Sequence, residues 1–381
     1  MNKIRYFDHA ATTAVSDEVL KNMLPYFSIE YGNPSSMYGI ARSAKRGIEE
    51  SREKIAQIIG ANKNEIYFTS GGSESDNLAI KGIAYANKSK GNHIITSKIE
   101  HRAVLETCEM LEKEGFEVTY LNVNENGIVN IQELQNVIKE STILISIMFA
   151  NNEIGTIEPI KEIGKIAKQN NIYFHTDCVQ AMGNCLINVK EMNIDSLSMS
   201  GHKVYGPKGI GVLYVKDGVD FTKIQNGGEQ ERNKRAGTEN VPGIIGIGTA
   251  LELAYNHFER NTKHLEELRN YYLQQAEKRI PNIKLNGDRI KRLPGNCNIS
   301  FEGVIGNELL QKLDEQGICA SVGSACSTKS FSPSHVLTAI GLPPKMAVGA
   351  LRITFGRENT KEDVDFLVDN LEKIVKELRN K

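Results

Sequence analysis

The first group of residues suited to chemistry surrounds Lys203. This lysine lies in a Gly/Pro-rich run at residues 200–211, directly after the β-type sequence at 196–199. A lysine at a strand end, inside a tight turn, has a fixed backbone and a directed amine, which can form a Schiff base with an aldehyde once desolvation lowers its pKa. The alternative is a surface lysine in a turn, and the Gly/Pro pattern alone favours that alternative.

A second loop has the composition of a phosphate-binding site. The sequence TSGGSESDN at residues 69–77 follows a β-type run and precedes a helical pattern. Glycines and hydroxyls at a helix start leave backbone N–H groups and a favourable dipole for an anion. The alternative is that Ser73 only caps the helix. The spacing is neither the GxGxxG dinucleotide pattern nor a Walker loop.

Two more strand ends carry side chains that could hold or move protons. Asp177 follows a predicted strand at 172–174, and a buried carboxylate is costly unless it meets a cation or several donors. A protonated pyridine nitrogen would be such a cation, and Gln180 would project from the same side if a helical turn begins here. Helix capping by Asp177 is the alternative. His101 follows another strand, and a lone histidine is more often structural than catalytic.

The six cysteines include no CxxC pair, which argues against a cysteine metal cluster. Scattered cysteines are usually small buried hydrophobic residues. Cys326 differs because it lies in a run of small and polar residues, 321–333, typical of an exposed loop. Cys319, between two apolar residues, has the neighbours of a structural cysteine. The six positions are Cys108, Cys178, Cys185, Cys297, Cys319 and Cys326.

The elements that must position these residues alternate between β-branched runs and helical patterns. Strands are expected at 65–69, 93–96, 116–121, 143–148, 172–174 and 196–199. This alternation predicts an α/β fold with a mainly parallel sheet covered on both faces. Ligands of such sheets bind beyond the carboxyl ends of the strands, where the loops above begin.

A change of pattern after about residue 250 predicts a smaller α+β domain. We expect residues 15–250 to form a large cofactor-binding domain, and residues 1–14 with 251–381 to form a small domain. In the small domain we expect one long amphipathic stretch at 243–279, strands near 297–301 and 351–355, and helices near 306–316, 333–340 and 361–379.

The charge balance bears on partners and location. With 46 basic and 47 acidic residues among 381, the net charge is -1, which gives no electrostatic reason to expect nucleic acid or an anionic membrane as a partner. No run approaches the roughly 18 apolar residues of a spanning helix, and the first residues show no signal-peptide core. We therefore expect a cytoplasmic protein.

In chain order, these features resemble the cysteine desulfurase family, in the NifS/IscS-like group of class V enzymes that depend on pyridoxal 5'-phosphate (PLP). The shared motifs are FDHAATT at 7–13, GNPSS at 32–36, FTSGGSESDN at 68–77, EH at 100–101, NNEIG at 151–155, SGHK at 200–203, RAGT at 235–238 and GSAC at 323–326. The resemblance implies the aspartate-aminotransferase-like fold (fold type I), with a mainly parallel seven-stranded sheet in the large domain.

The resemblance also implies how PLP would be held at its ring. Lys203 would form the Schiff base with the cofactor aldehyde and later act as acid and base. Asp177 would pair with the pyridinium nitrogen and Gln180 with the ring hydroxyl. His101 would stack on the ring and move protons, and Asn152 would contact both cofactor and substrate.

For the phosphate, the resemblance implies contacts from Gly72, Ser73, Ser200 and His202. Thr238 matches a residue that a neighbouring subunit contributes to the same phosphate, which implies a homodimer.

For the substrate, the resemblance implies L-cysteine. Arg352 would bind its carboxylate, with Asn152 and Asn33 beside it, and Cys326 would attack its sulfur. Alanine would leave, and the persulfide would pass to an acceptor protein, either an iron–sulfur scaffold or a tRNA thiolation enzyme. No resident metal is implied, and any contact with an iron–sulfur cluster would be transient and through Cys326.

Two related activities remain as alternatives, selenocysteine lyase and class V aminotransferase, although an aminotransferase would not need a cysteine in the 321–333 run. The sequence departs from the family pattern in carrying Gly72-Ser73 in place of Ala-Thr, and Val322 in place of Ser. The chain also ends soon after its last predicted helix, where many members that supply the general iron–sulfur scaffold carry a longer tail.

Overall fold

The computed structural model describes residues 4–322 and 334–380. Its strands are β1 (Arg5–Tyr6), β2 (Ile66–Thr69), β3 (His93–Ser97), β4 (Glu117–Leu121), β5 (Thr142–Ser146), β6 (Tyr173–Asp177), β7 (Ser196–Ser200), β8 (Gly211–Val215), β9 (Ile283–Asn286), β10 (Asn296–Phe301), β11 (Ile318–Cys319) and β12 (Ala350–Thr354). The largest sheet has seven strands in the order β2-β8-β7-β6-β5-β3-β4. Its pairs are parallel except where β8 meets β2 and β7, so the predicted fold class is confirmed.

Helices connect and cover these strands. They are α1 (Asp17–Met23), α2 (Pro25–Ser28), α3 (Gly39–Ile59), α4 (Gly72–Ala86), α5 (Arg102–Lys113), α6 (Ile131–Val137), α7 (Ile160–Gln169), α8 (Gln230–Asn233), α9 (Val241–Asn256), α10 (Phe258–Arg279), α11 (Gly306–Glu315), α12 (His335–Ala339), α13 (Pro344–Ala347) and α14 (Lys361–Arg379). Across the ranges that the structure covers, no helix is long and apolar enough to cross a membrane.

The inner strands of the large sheet are almost entirely buried, whereas the edge strand β4 is only partly buried. All residues of β5 and β8 are buried, as expected where helices cover both faces. Helix α7 shows the matching pattern: Ile160, Ile163 and Ile166 are buried while Lys161 and Lys165 are exposed. A spacing of three residues, close to one helical turn, places the isoleucines on one face of the helix.

A second hydrophobic core lies around a three-stranded antiparallel sheet of order β12-β10-β9. It combines Phe7 with apolar residues drawn from 265–378. The first residues of the chain reach this part through β1, which pairs in parallel with β11. The division of the chain at residues 14/15 and 250/251 stays a prediction.

Several features differ from the sequence-based expectation, among them the short strands β1, β9 and β11, which were not predicted. The amphipathic stretch at 243–279 is not one element, because α9 ends and α10 begins around His257. There Tyr255 stacks on Phe258, with ring centroids 5.9 Å apart, and its hydroxyl donates to the carbonyl oxygen of Cys185 at 3.0 Å. Strand β8, which the sequence pattern does not predict, closes the sheet between β2 and β7.

Candidate active site

Lys203 lines a cavity of about 310 Å³ at the carboxyl ends of the central strands. It follows β7 in a single 3₁₀ turn. Its Nζ donates hydrogen bonds to the carbonyl oxygens of Ala10 (2.5 Å) and Ala11 (2.7 Å). Burial, reinforced by the positive charge of Arg352, lowers the pKa of Lys203 to about 8. The amine is therefore closer to its neutral, nucleophilic form than an ordinary lysine.

Asp177, the last residue of β6, lines the same cavity. Its Oδ1 accepts a hydrogen bond from the backbone nitrogen of Val179 at 2.8 Å. Burial, and then the neighbouring carboxyl of Asp76, raises the pKa of Asp177 to about 7. Burial also raises the pKa of Asp76 to about 7. Among residues 4–322 and 334–380, neither carboxyl forms an ion pair with a lysine or arginine. Oδ1 of Asp76 lies 3.3 Å from Nε2 of His175, but burial lowers the pKa of His175 to about 4, so this ring is neutral at neutral pH.

The start of α4 supplies backbone donors to the cavity. Gly72 and Ser73 line it, and the N-cap residue Gly71 has no side chain to accept from the first turn, which leaves those N–H groups available to an anion. A Cβ at Gly72 would lie 2.6 Å from Cγ2 of Val179, and one at Gly211 would lie 2.5 Å from the carbonyl carbon of Gly71. Glycine at these positions therefore lets the loop pack closely.

His101 caps the start of α5. Its Nδ1 accepts a hydrogen bond from the backbone nitrogen of Ala103 at 3.1 Å, so the neutral ring carries its proton on Nε2. A ring nitrogen of His101, one carboxylate oxygen of Asp76 and one of Asp177 all lie within 4.8 Å of one another. The arrangement suits a group that moves protons at the edge of the cavity.

Ser200 and His202 flank the lysine turn. Ser200 ends β7 and is buried, while Nδ1 of His202 lies 3.1 Å from the hydroxyl of Thr12. Burial, followed by the charges of Lys203 and Lys208, lowers the pKa of His202 to about 4. At neutral pH His202 is thus a neutral hydrogen-bonding group, and not a cation.

Arg352, on β12, connects the second core to the cavity. Its Nη1 donates to the carbonyl oxygen of Asn152 at 3.0 Å, and its Nη2 donates to Oδ1 of Asp8 at 2.8 Å. The side chain is buried, and Nε has no hydrogen-bond partner in the part of the chain that the structure describes. A guanidinium that lines the cavity is suited to a carboxylate ligand.

The cavity brings together most of the residues singled out from the sequence. They are Gly72, Ser73, His101, Asn152, Asp177, Gln180, Ser200, His202, Lys203 and Arg352. Asn33 and Thr238 do not line it, and both are exposed on the single chain. Cys326 lies outside the described residues. The roles assigned to all of these residues stay predictions.

Sequence reasoning did not assign a role to five ionisable residues that also line the cavity, Asp76, Glu100, Arg102, Glu153 and His335. Asp76 could have been found, since it follows Ser73 by one helical turn and so shares its face of α4. His335 carries no such local signal, because its position depends on how α12 packs.

The comparisons with known proteins agree with this geometry. The model of the aminotransferase class-V family matches residues 5–367, and the chain belongs to that family. It is 55% identical over 381 residues to the cysteine desulfurase IscS of Clostridium botulinum strain Hall, covering 100% of this chain and 96% of that protein. It is 56% identical over 379 residues to the IscS of Methanosarcina thermophila, covering 100% and 94%. The predicted relationship to the cysteine desulfurases is confirmed.

Solved structures show the same relationship. A NifS-like protein superimposes with a TM-score of 0.93 at 37% identity, covering 98% of this chain and 100% of that one. The structure of SspA in complex with cysteine superimposes with a TM-score of 0.83 at 40% identity, covering 93% of this chain and 100% of that one. These likenesses confirm the fold type I architecture.

The lowered pKa of Lys203 predicts its reactivity. Because only the neutral amine is nucleophilic, we expect trace acetylation of Lys203 in the cofactor-free protein to rise with pH, reach half its maximum near pH 8 and then level off. Mass spectrometry of the labelled peptides would measure this, with the exposed Lys208 as an internal standard. A Lys203 profile that tracks Lys208 across the whole range would contradict the assignment.

Proposed function

We propose that this protein is a PLP-dependent cysteine desulfurase. The observation that carries the proposal is the convergence of the Lys203 amine, the buried Asp177 carboxyl and the open start of α4 on one cavity. These groups fit the aldehyde, the ring nitrogen and the phosphate of PLP. Bound there, PLP would withdraw electrons from the Cα of an amino acid substrate.

The buried carboxyl pair supports a cationic occupant. Asp76 and Asp177, with oxygens within 4.8 Å, repel each other when both are ionised. A protonated ring nitrogen beside Asp177 would supply the missing positive charge and lower the pKa of that carboxyl. Gln180 would bond the ring hydroxyl, and Asn152 would contact the ring and the substrate.

The phosphate would be held mainly by neutral donors. The N–H groups of Gly72 and Ser73, the hydroxyls of Ser73 and Ser200, and the neutral ring of His202 are available, and the dipole of α4 favours the negative charge. Thr238 would add a hydroxyl from the partner subunit.

L-cysteine is the substrate that the relatives favour. Both the names of the IscS relatives and the SspA structure with bound cysteine support it. Arg352, which lines the cavity, would bind the substrate carboxylate, and Asn33 would lie beside the substrate from the partner subunit. His101 and Lys203 would hold and move protons at the reacting carbons.

Sulfur would leave through Cys326. Its thiolate would attack the substrate Sγ, forming an S–S bond while the Cβ–S electron pair passes to the carbon skeleton. A proton then completes alanine, so that cysteine and a thiol give alanine and a persulfide without an external oxidant. The persulfide would pass to an acceptor protein that serves iron–sulfur assembly or tRNA thiolation.

A homodimer is supported by an exposed apolar segment. Leu24, Phe27, Ile29, Tyr31 and Met37 are each more than half exposed, at 56%, 61%, 67%, 65% and 90%. Such a patch is typical of a surface that another chain covers. The segment includes the exposed Asn33, so a partner seated on it would explain why a predicted substrate residue lies outside the cavity of one chain.

The remaining expectations concern partners, location and domains. The net charge of -1 gives no electrostatic reason for a nucleic-acid or anionic-membrane partner, and we propose neither. We propose a cytoplasmic location and no resident metal. We also propose that residues 15–250 form the cofactor-binding domain, and that 1–14 with 251–381 form the small domain that carries Cys326.

Gly211→Ala tests the phosphate site. The added methyl would displace the Gly71 backbone, and overpacking of this kind costs about 1–3 kcal/mol. We expect the apparent affinity for PLP to fall by roughly tenfold while the fold is retained, as measured by titrating cofactor-free protein. Gly39→Ala is the control, since its Cβ meets only Nη2 of Arg42 at 3.9 Å. Equal affinities in the two variants would argue against this site.

Phe27→Glu tests the dimer. A charge within the apolar segment should weaken self-association, and the separated chains should retain less PLP because Thr238 no longer reaches the partner's site. Sedimentation measures the mass, and absorbance measures the bound cofactor. Ile290→Glu, at a residue 87% exposed outside the segment, is the control. A wild-type protein that is monomeric and fully active at micromolar concentration would refute the proposal.

Cys326→Ser tests the reaction itself. PLP and L-cysteine should still bind, because Lys203, Asp177 and Arg352 are unchanged, but alanine formation should fall by several orders of magnitude. After one turnover of the wild type, mass spectrometry should find an added sulfur on the peptide that contains Cys326. Alanine formation that requires a keto acid would indicate an aminotransferase instead, and sulfur on Cys319 would contradict the role of Cys326.

A further inference from the structure

The turn at residues 151–155 makes a connection that the proposed function does not use. Glu153 is 4% exposed, and its Oε2 accepts a hydrogen bond from the Oγ of Ser334 at 2.5 Å. Ser334 is 6% exposed and directly follows residues 323–333 in the sequence. Buried carboxylates need donors, and charge-assisted hydrogen bonds are stronger than neutral ones. This contact therefore holds Ser334 against the turn at residues 151–155.

The hydroxyl of Ser334 has a second partner that settles its direction. It accepts a hydrogen bond from the backbone nitrogen of Val336 at 3.1 Å, as the N-cap of α12, so its single proton is donated to Glu153. The next residue, His335, donates through Nε2 to the carbonyl oxygen of Glu100 at 3.0 Å. The start of α12 is therefore attached to two turns of the large sheet.

The other flank of residues 323–333 is attached to the same turn through Arg352. Ser321 and Arg352 exchange backbone hydrogen bonds of 3.2 and 2.6 Å, and Nη1 of Arg352 donates to the carbonyl oxygen of Asn152. Both flanks of the segment that contains Cys326 are thus connected by hydrogen bonds to the turn at residues 151–155, Ser334 directly and Ser321 through Arg352.

We propose that Glu153 and Ser334 are positioning residues for sulfur transfer. This inference rests on the proposed function, in which Cys326 attacks the substrate sulfur. A nucleophile on a segment held at both ends has a higher effective concentration at its target than one held at a single end. The Glu153–Ser334 bond holds one end, so its loss slows the step that uses the thiol more than it weakens the binding of PLP and L-cysteine.

Ser334→Ala in the PLP-loaded enzyme is the first test. We expect the single-turnover rate of persulfide formation to fall about ten- to hundredfold, the range expected for losing a hydrogen bond to a charged group. The dissociation constant for L-cysteine, read from the absorbance of the bound cofactor, should change by less than about twofold.

Two variants separate positioning from the stability of α12. Ser334→Thr keeps both the cap and the donor and should recover most of the rate. Thr338→Ala is the matched control: it removes a hydroxyl that bonds the carbonyl oxygen of Ser334 at 3.0 Å, within the same helix and without touching Glu153. Glu153→Gln, which leaves the cap of α12 intact, should slow persulfide formation several-fold even if Ser334→Ala folds poorly.

The outcomes distinguish the two proposals. If wild-type enzyme forms neither alanine nor persulfide from L-cysteine, the proposed function fails. If the wild type does so, and Ser334→Ala and Glu153→Gln form persulfide as fast as Thr338→Ala, the positioning role is overturned. It is also overturned if these variants weaken L-cysteine binding as much as they slow sulfur transfer, because the contact would then act on the whole cavity.

Discussion

The parallel pairing of β5, β6 and β7 is the constraint on which the cavity depends. Its register places Ile145 opposite Phe174, and Asp177 opposite Ser198. Adjacent strands lie only about 4.8 Å apart, and parallel strands all end at the same edge of the sheet. The turn at 151–155, the Asp177 carboxyl and the Lys203 turn therefore become neighbours although they are distant in the chain.

Two buried ionisable groups at this edge, Lys203 and Asp177, have pKa values shifted toward their neutral forms, and these shifts indicate a functional site. Burial disfavours the charged form of Lys203 and of Asp177, moving one pKa down to about 8 and the other up to about 7. A chain selected for stability alone would place apolar residues in these positions. Groups held in unfavourable ionisation states at a cavity are typical of ligand and catalytic sites. Arg352 differs from these two groups because it already has partners: its guanidinium donates hydrogen bonds to Asp8 and to the carbonyl oxygen of Asn152.

Local sequence patterns were sufficient for much of the fold. The predicted strands of the large sheet agree with β2 to β7 within two residues at most ends, because most of them contain short runs of β-branched and aromatic residues. The strand β8 was missed because a short apolar run does not distinguish a strand from a buried helical turn. The break between α9 and α10 was missed because contacts of Tyr255 with Phe258 and Cys185 define it, and no glycine or proline marks it.

For the site, the sequence by itself determined which loops carry chemistry. The residues of each motif are adjacent in the chain, and their side-chain types indicate which chemistry they can perform. Only the tertiary structure decided which of them meet. The proximity of Asp76 to Asp177, the bond between Glu153 and Ser334, and the position of Arg352 each join residues from different elements. Such contacts depend on the order of the strands and on how the elements pack. The local sequence around either residue contains no information about these, so neither segment alone predicts the contact.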